Sequence, residues 1–378
     1  MLVRQFSPHG GLELYAHKVV EGLLENDIAV TVVCQELKSE LRQANLDYEM
    51  IEPDASVKGK YARQLSLFKN ANRALAGLSN VDLIHSQHCP TDRADIVTFH
   101  NHSTKRLSEV GFLWERILND CKRTAVPAYK LREKQDEILL RKAQCLIFPA
   151  EVMKEDFFKN YPFLNGPPSK PYVVAHPGAS LADENAGRSI NPPSVDACFN
   201  FLFVGRGFRK KGLDVLLAAC ARLKRLSNAK FKLLIAGLKA KPSDQIYMAA
   251  LGLGDCVEFL GFQKDMDAVY QKAKAIILPS RVEPFGMAPV QGMQRGLVPI
   301  VSKVSGVAEV LNDGVDALIL RNHLDADELA HIMQQLLDNP ELLQKLSLAA
   351  GRRAEKISWQ ETVKETIKAY DIALSLRN

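Results

Sequence analysis

The chain has no run of about 18 uncharged apolar residues, so no transmembrane helix is expected. Its first residues, Met1 to Phe6, contain no long apolar stretch, and a secretory leader is not expected either. Disulfide and zinc frameworks are also missing. The seven cysteines (Cys34, Cys89, Cys121, Cys145, Cys198, Cys220 and Cys256) are odd in number and never spaced as Cys-x-x-Cys. They read as reduced, mostly buried thiols of a cytosolic protein. There is no large excess of one charge: 49 cations meet 44 anions, a net of +5. That argues against a dedicated nucleic-acid binder and leaves room for an anionic ligand or an acidic membrane surface. Exact repeats and low-complexity tracts are absent. What remains is a normal globular balance, 47% hydrophobic and 25% charged, over 378 residues. At roughly 100–200 residues per domain that length predicts two domains, or three.

The hydrophobic pattern predicts an α/β class. Met1 to Phe6, Val30 to Cys34, Val81 to Ser86, Ile96 to Phe99, Cys145 to Pro149 and Tyr172 to Ala175 read as strands. Leu12 to Glu25 reads as an amphipathic helix with Leu12, Val19 and Leu23 on one side. A proline-rich tract, 167–171 and then 177–193, marks a linker. After it the rhythm restarts. Strands are expected at Asn200 to Val204, Phe231 to Ala236, Val257 to Leu260, Ala275 to Leu278 and Val298 to Ser302. Helices are expected at Leu213 to Leu226, Asp267 to Ala273, Asp325 to Leu337 and Trp359 to Leu376. Strands alternating with helices predict mostly parallel sheets, whose ligands lie at the carboxyl ends of the strands. Two similar halves with a cleft between them, 1–178 and 179–358, are the expected domains.

Three glycine-bearing stretches follow such strands. Residues 283–296 join Glu283 and a Pro-Phe-Gly turn to a short helix ending near Gly296. Free N–H groups at that helix start favour an anion, whereas Glu283 repels phosphate and accepts bonds from neutral hydroxyls. Together they suit a sugar linked to a diphosphate, although an ordinary strand–helix connection has the same pattern. The second stretch is Gly205-Arg206-Gly207-Phe208-Arg209-Lys210-Lys211-Gly212. It misses the dinucleotide fingerprint, because four residues separate its second and third glycines. It misses the P-loop, because Leu213 stands where a lysine is required. Arg206 and Lys211, five apart, could hold a diphosphate as leaving group, with a planar fork and a mobile point charge. Arg209 and Lys210 read as solvated. The third stretch, with Gly10 and Gly11 before the Leu12 helix, is either a tight turn or a close backbone approach to a ligand. His100 ends its strand, and both a structural and a functional role are open to it.

Taken together, Gly-Arg-x4-Lys-Gly with Arg206 and Lys211, Glu-Pro-Phe-Gly with Glu283, Pro8 to Gly11, and Thr-Phe-His ending at His100 resemble the retaining glycosyltransferases of family 4. The likeness spans essentially the whole chain and leans toward bacterial transferases that build the lipopolysaccharide core. It implies the GT-B fold, two Rossmann-like domains with parallel sheets facing a central cleft, and a last helix, 359–378, returning to the first domain. It implies that Arg206 and Lys211 bind the donor diphosphate and Glu283 the donor-sugar hydroxyls. The backbones of Gly205, Phe285, Gly286 and Met287 would contact the donor. Gly10 and Gly11 would approach the phosphate or transferred sugar, and His100 would contact the sugar near the reacting carbon. The donor expected is a UDP-linked hexose and the acceptor a glycan or lipid-linked glycan. No cofactor and no metal are expected, because Arg206 and Lys211 replace it. Asp265-Met266-Asp267 looks like a metal-binding pair but precedes a helix and reads as its N-cap.

One position departs from the family pattern. Gln291 stands where a glutamate accepts bonds from the nucleotide ribose, so nucleotide affinity is expected to be weakened or retuned. A catalytically silent nucleotide-sugar-binding partner and a nucleotide-sugar epimerase are the alternatives to a transferase. Lys211→Ala and Glu283→Ala are expected to abolish transfer with thermal unfolding nearly unchanged. Residues 103–142 carry ten cations against six acids, interleaved with Phe112, Leu113, Trp114, Ile117 and Leu118. They read either as basic helices lying on the cytoplasmic face of an anionic membrane or as a solvated face around a buried Trp114. Nucleic acid is not expected as a partner.

Overall fold

A computed structural model describes residues 1–54, 56–179, 198–227 and 230–377. The chain divides into two units, Met1–Gly178 with Trp359–Asn378, and Ala179–Ser358. Of the expected linker, residues 180–193 lie outside the described residues.

The first unit opens with β1 (Gln5–Phe6), α1 (Leu12–Glu25), β2 (Val30–Cys34), β3 (Glu36–Leu37), β4 (Leu46–Met50) and α2 (Lys60–Ala76). It continues with β5 (His85–Ser86), β6 (Ile96–Thr98), α3 (Leu113–Ala125), α4 (Pro127–Lys142), β7 (Cys145–Phe148), α5 (Glu151–Asn160) and β8 (Tyr172–Val174). The second unit contains β9 (Phe199–Val204), α6 (Leu213–Leu226), β10 (Phe231–Ala236), α7 (Pro242–Ala250), β11 (Val257–Gly261), α8 (Asp267–Tyr270) and β12 (Ala275–Leu278). It ends with α9 (Met287–Met293), β13 (Val298–Ser302), β14 (Leu318–Leu320), α10 (Ala326–Asp338) and α11 (Pro340–Ala354). The terminal helix α12 (Trp359–Ser375) packs in the first unit.

In the second unit all strand pairs are parallel, in the order β11-β10-β9-β12-β13-β14. Such a sheet is covered on both faces, which explains why β12 and β13 are buried throughout, and apolar up to the final Ser302, instead of alternating. Period-2 alternation survives in β9. Phe199, Phe201 and Phe203 pack with Leu213, Leu216 and Leu223 of α6 on one face. Leu202 packs with Tyr270, Ile276 and Leu297 on the other.

The first unit follows the same rules. Its strands run β5-β6-β7-β8, with β2-β4 as a neighbouring pair. Leu2 bridges both Val33 and Ser86 and so links the two ladders. The strand expected at Met1 to Phe6 is therefore reduced to that link and to β1. The strand expected from Val81 is reduced to His85–Ser86, because the Asp95 carboxylate takes the Ile84 N–H at 2.7 Å and Val81 lies exposed. Helix α12 closes the unit. Ala369 and Ala373 share a core with Ile96, Cys145, Ile147 and Val173. A Cβ on Gly22 of α1 would lie 2.4 Å from Val363, so these two helices meet at glycine.

Helix α3 differs from the second of the two expectations for this stretch, a face packed around a buried tryptophan. Leu113, Trp114, Ile117 and Leu118 are all exposed, Trp114 by 50%, so no buried tryptophan organises this face. Among the described residues no helix is long and apolar enough to cross a membrane.

Candidate functional site

The strand order of the second unit reverses between β9 and β12, and ligands of such sheets bind at the carboxyl ends of the strands flanking the reversal. The two loops at that point are residues 205–212 after β9 and 279–286 after β12. They touch directly. Gly212 has φ +74°, and a Cβ there would sit 2.0 Å from the Pro279 carbonyl oxygen. The Arg281 N–H donates to the Lys210 carbonyl at 3.0 Å. The Arg281 guanidinium, 4% exposed, donates two 2.8 Å bonds to the Asp214 carboxylate and one of 2.6 Å to the Arg209 carbonyl. A bidentate pair of this kind is strong and directional, so the two loops form one block.

The Lys211 stem runs beside Gly205 and Gly207, whose added Cβ atoms would lie 3.4 and 3.3 Å from its Cγ. Its ammonium pairs with the Glu283 Oε2, to which the Ser280 hydroxyl also donates at 3.4 Å. Glu283 is 6% exposed. Its own carbonyl accepts from the Gly306 N–H at 3.2 Å, and the Phe285 carbonyl accepts from the Val307 N–H at 2.8 Å. The structure thus brings Lys211 and Glu283 together and places Arg206, exposed, in the same loop with no hydrogen bond or ion pair to another described residue. This pairing corrects one expectation: truncating either partner leaves the other without its counter-charge, so unfolding cannot stay unchanged.

Gly286, at φ +102°, turns the chain into α9, the helix that begins at Met287. Pro289 is its third residue and has no N–H, so the first turn has one donor fewer than an ordinary helix start. The helix start therefore offers fewer backbone donors than the sequence pattern suggests. Gln291 lies on the same helix, and its Oε1 accepts from the Tyr270 hydroxyl at 3.0 Å. That hydroxyl is held protonated, first by burial and then by the Asp267 charge. Asp265 caps α8 by accepting from the Ala268 N–H at 3.1 Å, and Asp267 pairs with Arg295. Among the described residues no group of three or more His, Cys, Asp or Glu could hold a metal ion.

In the first unit, Gly10 and Gly11 form the exposed turn into α1. Gly10 has φ +116°, whereas a Cβ on Gly11 would meet nothing within 4 Å. His100 follows β6, half-buried, its ring edge-on to Tyr15 of α1 at 4.8 Å. Its Nε2 lies 2.6 Å from the Gln87 Oε1 and so carries the proton. Burial, and then the neighbouring His88, push its pKa down to about 3, so the ring is neutral at physiological pH. His85 is anchored on both nitrogens, by Tyr370 at 2.8 Å and Thr98 at 2.7 Å.

Comparison with known proteins now adds to this geometry. Residues 9–182 match Glycosyltransferase Family 4, and residues 195–353 match Glycosyl transferases group 1. The structure of WaaG, a glycosyltransferase involved in lipopolysaccharide biosynthesis, superposes with a TM-score of 0.74 at 17% identity, covering 98% of each chain. The chain has the GT-B fold of the group 1 and family 4 glycosyltransferases. A second GT-B structure, Anabaena Alr3699/HepE in complex with UDP, superposes with a TM-score of 0.64 at 16% identity, covering 98% of this chain and 99% of that one. The D-inositol 3-phosphate glycosyltransferase of Nocardiopsis dassonvillei is 24% identical over 96% of this chain and 89% of its own. For several other curated relatives of that name, the chain spans about half their length.

Sequence reasoning on this GT-B chain missed Arg281 and Asp214, because neither stands in a motif and 67 residues separate them. It also missed Tyr270, whose bond to Gln291 depends on the turn of α8 beneath α9.

Proposed function

We propose that this protein is a retaining, metal-independent glycosyltransferase that moves a hexose from a UDP-linked donor to a sugar hydroxyl of a cell-surface glycan of the lipopolysaccharide-core kind. One observation supports this above the others: an ammonium and a buried carboxylate meet at the β9–β12 reversal, with Arg206 in the same loop. A ligand with a diphosphate beside neutral hydroxyls satisfies both charges. Lys211 and Arg206 take the diphosphate and stabilise it as a leaving group, while Glu283 accepts hydrogen bonds from the sugar. Gly205, Phe285, Gly286 and Met287 line the donor through their backbones, and Gln291 serves the nucleotide. In the first unit, Gly10, Gly11 and His100 are assigned to the transferred sugar by the family pattern. In the reaction the acceptor oxygen bonds to the anomeric carbon on the face from which the phosphate departs. The carbon–oxygen bond to the diphosphate breaks, and the acceptor proton passes to the leaving phosphate oxygen. No protein base is required.

The relatives named above support a nucleotide-sugar transferase, and the UDP complex of HepE supports UDP as the donor carrier. The test is transfer from a panel of UDP, GDP and ADP sugars, with anomeric configuration read by NMR. Inverted product, or no transfer from any donor despite nucleotide binding, overturns the assignment. The second result would favour a silent nucleotide-sugar binder, which the Tyr270 bond to the Gln291 oxygen otherwise supports.

We also infer peripheral contact of α3 with the cytoplasmic face of an anionic inner membrane. Its exposed Leu113, Trp114, Ile117 and Leu118 stand among Arg116, Lys122 and Arg123. At low salt the protein is expected to co-sediment with vesicles containing phosphatidylglycerol, and Leu113→Ser with Ile117→Ser to stay in solution. Equal partitioning of both proteins removes α3 from this role.

A further inference from the structure

Behind His100 the first unit carries a chain of hydrogen bonds that the functional reading does not use. It runs from Tyr370 of α12 to His85 of β5, from His85 to Gln87, and from Gln87 to His100. His85 and Gln87 are buried, 2% and 1% exposed. The sense of every link is fixed by groups that have only one role.

The Met1 sulfur carries no proton and lies 3.0 Å from the Gln87 Nε2. It therefore faces the amide N–H, which sets the orientation of the Gln87 amide. An amide N–H only donates, so the His85 Nε2, 3.3 Å from the same nitrogen, is bare. The Thr98 hydroxyl donates to it as well, at 2.7 Å. Burial pushes the His85 pKa well below its ordinary value, so this ring is neutral. Its single proton sits on Nδ1 and is donated to the Tyr370 oxygen at 2.8 Å.

At the other end of Gln87 the amide oxygen only accepts, so His100 holds its proton on Nε2. His100 is neutral as well, with its pKa pushed down to about 3 by burial and then by His88. Its Nδ1 is left as a bare acceptor with no hydrogen-bond partner among the described residues. The His100 N–H donates to the His88 Nδ1 at 3.3 Å, and Tyr15 meets the ring edge-on, so main chain and ring are both held. A bare nitrogen fixed in this way recognises a proton donor. It accepts from a sugar hydroxyl, gains nothing from an ether oxygen or fluorine, and repels a carboxylate. A base this weak does not keep a proton at neutral pH, so the role of the ring is recognition.

We propose that Gln87 is a positioning residue which, held by His85 and Tyr370, locks His100 as a hydrogen-bond acceptor, and that the sugar against His100 must present a free hydroxyl there, which selects a neutral hexose over one carrying a carboxylate or a blocked oxygen at that position. That the partner of His100 is the transferred sugar rests on the transferase reading given above; the direction of the hydrogen-bond chain does not.

The test has two arms. Ring nitrogen-15 NMR shifts of His100, assigned by their loss in His100→Phe, report which nitrogen bears the proton. The wild type is expected to show Nε2–H alone, and Gln87→Met, which removes the acceptor, a mixture of both forms. Tyr370→Phe removes the acceptor of the His85 proton, so that proton moves to Nε2, the Gln87 amide turns over, and the Nδ1–H form of His100 is expected to appear. This variant loses only a hydroxyl and decides the matter if Gln87→Met does not fold. A wild-type proton on Nδ1, or an unchanged His100 in the folded variants, overturns the proposal. The second arm measures kcat/KM for UDP-hexoses whose sugar hydroxyls are replaced singly by fluorine, in the wild type, Gln87→Met and His100→Phe. The electronic effect of fluorine on the reacting carbon is common to all three proteins and cancels. For one fluorinated donor the penalty relative to its parent is expected to shrink at least about fivefold in both variants, with UDP affinity unchanged. Equal penalties in all three proteins overturn the proposal. No transfer by the wild type from any UDP-hexose would instead overturn the transferase reading, and the NMR arm still decides the direction of the chain.

Discussion

Uncoupling stability from activity at the Lys211–Glu283 pair tests the proposed donor site most directly. Glu283 has a side chain 8% exposed and Lys211 one 24% exposed, so the pair lies between a surface ion pair, worth about 0–1 kcal/mol, and a fully buried one, whose disruption costs about 3–5 kcal/mol. Lys211→Ala should therefore cost about 2 kcal/mol. In a unit of this size that lowers the unfolding midpoint by about 4–8 °C. Adding Glu283→Gln removes the stranded charge and should recover much of the loss. Transfer should fall about 10²–10³-fold in Lys211→Ala and stay low in the double variant, because the diphosphate still lacks its cation. The cycle needs denaturant melts of the wild type, both single variants and the double variant, with transfer assays on the same samples. Effects on unfolding that add within about 0.5 kcal/mol, together with wild-type UDP affinity in Lys211→Ala, would refute the reasoning.

Gly212→Ala forces a Cβ against the Pro279 carbonyl at positive φ and should destabilise the second unit by more than about 2 kcal/mol, whereas Gly11→Ala, with open space around it, should leave the melt within about 1 kcal/mol while reducing transfer. A strong loss of transfer with an unchanged melt at Gly212, or no effect on transfer at Gly11, contradicts the assigned roles. Gln291→Glu restores charge assistance and should tighten UDP about 5–10-fold; an unchanged Kd places the ribose elsewhere. His100 titrates at about 3 in the folded chain and near 6.5 when unfolded, so the unfolded state gains a proton first as pH falls. Its contribution to stability is fully present above about pH 6.5 and is lost as the pH falls toward 3. Denaturant midpoints of His100→Gln should accordingly change less steeply than wild type between those values, and superimposable pH profiles would show that the ring is not desolvated.

Much of this architecture was legible because parallel sheets write a strong signal. Ala275–Leu278, Phe231–Ala236 and Val298–Ser302 are short apolar runs bounded by turn residues, and both ends of each were readable. Lys211 and Glu283 were legible as motif residues, and the structure shows them in contact. Features that depend on long-range pairing were not legible. Nothing local says that Asp95 strips residues 81–84 from their strand, that Asp214 grips Arg281, or that Gln64 and His88 reach Gln135 and Asp136 of α4. The exposed apolar face of α3 was ambiguous for another reason. Periodicity shows that one side of a helix is apolar but not whether the fold covers it.

The clasp between Arg281 and Asp214 sets a rule for anyone recombining these enzymes. A chimera that imports the glycine loop and the start of α6 from a relative without an acid at the Asp214 position, but keeps the segment after β12, takes away the carboxylate that a deeply enclosed guanidinium grips. The two segments are one heritable cassette, and donor preference should travel between scaffolds only when both are transplanted together.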